Sequence, residues 1–146
     1  MTGMKVKLLF FDAPAVTSRV DAAARRVLSK FGAYVRTTAR HSISKRRAVS
    51  APGRPPSSHE GSLRRLIFFA YEPQTRNVVI GPVAFGAGEA PALLEQEHVA
   101  GTTRAVTRTD RRGRPRRMRY RARPYMGPAF EQEQPKLPAM WAGSVR

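Results

Sequence analysis

The chain has 146 residues, with 27 Lys and Arg against 10 Asp and Glu and hence a net charge of +17 at neutral pH. That length supports one domain with a modest core, and the charge predicts a polyanion or an acidic protein surface as partner while saying little about fold. The absence of cysteine excludes disulfides and thiolate metal sites. The run Leu8-Leu9-Phe10-Phe11 is too short for a signal-peptide core and no stretch approaches a membrane span, so a soluble protein made in the cytosol is predicted.

Asp12 and Pro14 open a helical pattern, the first as a cap and the second at a first-turn site where its missing N–H would be unpaired anyway. Val16, Val20, Ala23, Val27, Phe31, Tyr34 and Thr38 recur every three or four residues and predict one apolar stripe on a helix over residues 13–43. Arg19, Arg25, Arg26, Lys30, Arg36 and Arg40 fall on its other faces. Gly32 is a weak point in it, costing about 1 kcal/mol against alanine. A stripe this long in a small domain predicts packing across a sheet.

Lys45, Arg46 and Arg47 close the helix, where cations are favoured. Residues 50–61 are rich in Pro, Gly and Ser and predict an extended, exposed loop. Residues 63–71 contain the most apolar run of the chain, Leu66-Ile67-Phe68-Phe69, which predicts a central strand covered on both faces. A reversal over 72–77 leads into an antiparallel return at Val78-Val79-Ile80 that stops at Gly81-Pro82. Residues 84–90 are glycine-rich, residues 91–97 predict a short helix entered at Pro91, and a last short helix begins at Gly127-Pro128, interrupted at Pro135 and near Pro138.

Residues 104–124 carry the densest charge. Ten residues from Arg104 to Arg123 are arginine, and from Arg117 onward Arg117, Arg119, Arg121 and Arg123 alternate with Met118, Tyr120 and Ala122. A period of two predicts a strand with one wet face, and Gly113 with Pro115 predicts a turn between two such strands. The element order predicts an α+β single domain over 1–146: an antiparallel sheet of about four strands with a long N-terminal and a short C-terminal helix packed on one side. No internal repeat is visible.

Catalytic and cofactor chemistry have no sequence support. His41, His59 and His98 stand apart with no Asp or Glu at ligand spacing, and Glu95 with Glu97, like Glu131 with Glu133, are two positions apart and share no helix face. The glycines of 81–88 lack the following Lys-Ser/Thr of a phosphate loop. The chain therefore predicts no enzyme, no metal and no cofactor. A dense arginine face suits a phosphate backbone read without regard to sequence; Tyr120 and Tyr125 alone make a thin stacking platform.

Four segments in order carry a resemblance. Pro52-Gly53, Pro55-Pro56, His59, Gly61 and Leu63 form a loop entering the first strand, Val78 to Pro82 a second strand, Leu94-Glu95 a short helix, and Arg123-Pro124-Tyr125 with Pro128-Ala129 a junction into the last helix. Together they resemble the tail-component, or head–tail joining and tail-completion, proteins of tailed bacteriophages, over residues 13–146. Gln96-Glu97 departs from the aromatic–glycine pair of that family.

The resemblance implies a structural virion protein at the neck, assembled in the host cytoplasm, with no enzymatic residues. It implies a head–tail connector, tail-completion or tail-terminator subunit in a ring, hexameric by preference or twelve-fold to match the portal. Its neighbours would be neck, portal-adaptor and tail-tube proteins, with sequence-independent contact to packaged DNA and none to a membrane. The contact residues expected are Arg111, Arg112, Arg114, Arg116, Arg117, Arg119, Arg121 and Arg123, with Pro52, Arg54, Pro55 and Pro56 as a docking loop. A division of labour is expected too, the tip over 111–114 toward the channel or an adjoining ring and the 117–123 row toward protein carboxylates. The alternative is a free-standing basic nucleic-acid-binding protein.

Overall fold

A computed structural model describes residues 12–83, 94–95, 103–109 and 112–145, with 103–109 and 116–120 described in backbone only. Helix α1 spans Ala13–Ser42. Asp12 Oδ1 accepts from the N–H of Ala15 at 3.0 Å, as an N-cap should. The helix stops where Ile43 turns to extended geometry.

The buried seam of α1 differs from the stripe expected. Ala23, Val27, Phe31, Val35, Ala39 and then Ile43 are buried, whereas Val16, Val20 and Tyr34 are exposed. With Ala24 and Gly32 also buried, the seam mixes steps of three and four in its first half, and from Val35 through Ala39 to Ile43 it advances by fours, each step over-rotating by about 40° at 3.6 residues per turn. Several elements cover it. Strands β1 (Ile67–Glu72) and β2 (Asn77–Pro82), followed by α3 (Met126–Glu133) and α4 (Leu137–Trp141), all pack on α1.

Strands β1 and β2 pair antiparallel from Ile67↔Pro82 to Glu72↔Asn77, and a single helical turn, α2 (Ser62–Arg65), precedes them. Ile67 is fully buried and Phe69 and Tyr71 are half-buried, but Phe68, Ala70 and Glu72 are exposed. The strand predicted to be covered on both faces is therefore covered on one. Arg36 ties helix to strand: its Nε donates to the Ile67 carbonyl at 2.7 Å and its guanidinium lies 5.7 Å from the Phe68 ring centre. At the turn, Arg76 pairs with Asp21 at 2.7 Å.

The expected sheet of about four strands is not formed. The sheet on α1 has two strands, and β3 (Thr103–Thr109) pairs separately with β4 (Pro115–Arg121). The α+β class, the long first helix and the short last helices stand. Of the helix predicted over 91–97, Leu94 and Glu95 are helical and the rest lies outside the described residues, as do 84–90. Helix α3 ends at Glu133, a 3-10 turn over Gln134–Lys136 contains Pro135, and α4 has Pro138 in its first turn, as proline chemistry requires. The core joins Phe31, Val35, Ala39 and Ile43 to Leu63, Ile67, Tyr125 and Ala129. Phe130 meets Phe31 edge-on, with ring centres 5.8 Å apart.

Candidate nucleic-acid and partner interface

The arginine hairpin is antiparallel from Thr103↔Arg121 to Thr109↔Pro115. Gly113 takes φ +75 at its tip, the left-handed value that favours glycine, and Pro115 opens β4, where no preceding ladder bond is lost. The register sets Arg117, Arg119 and Arg121 across from Thr107, Ala105 and Thr103, and Arg108 directly across from Arg116. No carboxylate stands opposite the row, and like charges facing each other destabilise a ladder. Arg112, Arg114 and Arg121 are exposed. Arg111 lies outside the described residues, and the side chains of Arg116, Arg117 and Arg119 likewise.

Arg123 leaves the row. Strand β4 ends at Arg121, Ala122 is buried, and half-buried Arg123 donates from Nε to the Ser50 carbonyl at 3.0 Å and from its backbone N–H to the Leu94 carbonyl at 3.1 Å. Its place is the seam between the strand exit and the proline-rich loop. Tyr125, two residues on, is fully buried in the core and offers no ring for stacking. Burial, and secondarily the nearby charge of Glu95, raise its phenol well above the ordinary tyrosine range.

The loop over 50–61 is stitched down rather than extended. Gly53 N–H donates to the Ala122 carbonyl at 3.1 Å, Ser58 N–H to the Ser44 carbonyl at 2.9 Å, and Ser57 Oγ to the Ala48 carbonyl at 2.5 Å. Pro52 and Arg54 are exposed, Pro55 is half-buried and Pro56 buried. The docking arm expected there is reduced to a short lobe around Pro52 and Arg54. Arg123 and this loop, predicted as separate sites, meet at a cavity of about 160 Å³, where Arg46, Arg47, His59 and Arg123 gather beside Val49, Pro56 and Leu94.

Glu95 has a structural role that sequence reasoning did not assign. Its Oε1 accepts from the N–H groups of Tyr125 at 2.8 Å and Met126 at 2.7 Å, and Oε2 from Gly127 at 3.4 Å. It thus caps α3 from thirty residues away, meeting N–H groups that have no partner within the helix and the positive end of its dipole. The only signal was its place in the Leu94-Glu95 motif. Among the described residues no group of three or more His, Asp or Glu is placed to hold a metal, and no helix is long and apolar enough to cross a membrane. Comparison with family models, curated proteins and solved structures finds no match to the chain.

Proposed function

We propose that the chain is a non-enzymatic assembly subunit of a tailed-phage virion, forming a ring at the neck between head and tail. The observation that carries this reading is the bare face of the β1–β2 hairpin. Phe68 is 47 % exposed, Val79 62 % and Val83 51 %, and neither hairpin edge meets another strand among the described residues. Uncovered apolar strands with open edges are association surfaces.

Charge supports an acidic neighbour of a different kind. Of the ten carboxylates, Asp12, Asp21, Glu72, Glu95 and Glu133 are already bonded within the chain. Copies side by side have too few acids left to neutralise one another, so adjoining neck and tail proteins, or packaged DNA, must supply the anions. Repeated heterologous contacts close into cyclic rings, and six-fold closure is the preferred count, with twelve-fold as the alternative. Mass measurement of the purified protein and cryo-electron microscopy of particles test this. A ring in both supports it; a stable monomer absent from purified virions overturns it.

The facing pair Arg108 and Arg116 and the acid-free register of β3 and β4 favour one further reading, a free-standing nucleic-acid-binding protein. Such a binder holds DNA as a monomer near physiological salt, with a log–log salt slope of several units. A neck subunit binds it weakly or only when assembled.

A further inference from the structure

We infer that the cavity where the proline-rich loop meets the exit of β4 is a binding site for a phosphate group. The inference is independent of whether the chain forms a ring. Arg46, Arg47, His59 and Arg123 line it from three separate segments of chain, and no carboxylate lines it among the described residues. Glu95, next to Leu94 on the cavity wall, has its oxygens engaged by the N–H groups that open α3.

One feature marks a built site rather than a patch of surface charge. Arg123 is half-buried and held by Nε on the Ser50 carbonyl, so its guanidinium is pre-positioned, and its Nη groups have no protein partner among the described residues.

The donor set selects the ligand. Arg46, Arg47, His59 and Arg123, carried on three segments of chain, offer guanidinium and imidazole donors that suit the tetrahedral oxygens of a phosphate. A carboxylate, with two oxygens in one plane, leaves most of these donors unmet. Size agrees, because a cavity of about 160 Å³ falls below the roughly 300–1,000 Å³ of drug-sized ligand pockets and suits a single anionic group. Val49, Pro56 and Leu94 supply apolar wall for the carbon skeleton attached to it. The phosphate is either free or part of a nucleic-acid backbone.

Titration with inorganic phosphate, followed by amide and imidazole NMR signals, tests the site. Saturable shifts at Ser50, His59 and Arg123 are expected. Arg46→Gln with Arg47→Gln, two exposed residues outside the core, weakens the affinity by about tenfold or more, whereas Arg112→Gln with Arg114→Gln at the hairpin tip leaves it unchanged. Unsaturating shifts spread over the basic surface, or equal titration by wild type and the Arg46/Arg47 variant, overturn the proposal. Arg123→Gln is a second probe, and should it fail to fold, the Arg46/Arg47 variant still decides. A short single-stranded oligonucleotide that displaces the phosphate identifies a backbone phosphodiester as the source, and one that leaves it bound identifies a free phosphate; either result supports the site.

Discussion

Gly32 sits where α1 comes closest to the β1–β2 hairpin. A Cβ there would lie 2.8 Å from Val78 Cγ2 and 2.9 Å from Phe69 Cδ2, both on stiff side chains that cannot swing aside. Helix propensity alone favours Gly32→Ala by about 1 kcal/mol, but overpacking costs typically 1–3 kcal/mol. The expected result is therefore a net loss of up to about 2 kcal/mol in denaturant unfolding; a higher midpoint than wild type would refute the close approach. A second residue-scale prediction concerns Glu133, buried against α1. Lys136 Nζ at 2.7 Å and Thr38 Oγ1 at 2.8 Å donate to its carboxylate and hold it below the usual glutamate range. A depressed folded pKa stabilises above the unfolded value of about 4.3 and is lost as pH falls through the lower folded value. Glu133→Gln should therefore lose less stability than wild type on acidification below pH ~4. Parallel acid limbs in the two proteins would remove Glu133 from the account.

At the scale of elements, what the sequence made legible was local. The ends of α1 were readable because Asp12 is a cap whose partner, Ala15, lies three residues away, and the tip at Gly113 because positive φ is a property of one residue. The burial of Val35 rather than Tyr34 was not, since it depends on the hairpin and α3 both packing on the middle of the helix. The outward Phe68 was likewise hidden, because a run of four apolar residues carries no period to say which face is bare. Arg123 continued the alternation of the row although the strand had already ended. Glu95 depended on a partner thirty residues distant, and it yields the sharpest test of an element. Glu95→Ala leaves the first N–H groups of α3 without an acceptor and should cost about 1–3 kcal/mol. Glu95→Gln keeps one oxygen and should cost less. Equal losses in thermal unfolding would show that packing around residue 95, not the cap, holds the α3 junction in place.

For the whole molecule, the opposing terms of assembly are the charge of +17 and the bare hairpin face with Phe68 and Val79. Repulsion between like copies acts through solvent and is screened, over about 10 Å at 0.1 M salt and about 3 Å at 1 M. Apolar contact is not weakened by salt in this way. If copies meet through the hairpin face, self-association should therefore grow as salt is raised, while any affinity for DNA falls through counterion release. The two salt dependences run in opposite directions, which makes them separable on one preparation. Val79→Glu places a charge on a side chain 62 % exposed and paired across the ladder with Ala70, so the fold should survive while the salt-driven association disappears. Arg112→Glu with Arg114→Glu should leave that association intact and weaken only the affinity for DNA. Sedimentation of all three proteins across a salt series measures this. Should Val79→Glu still associate, or should wild type dissociate as salt rises, the apolar hairpin face would not be the contact between copies.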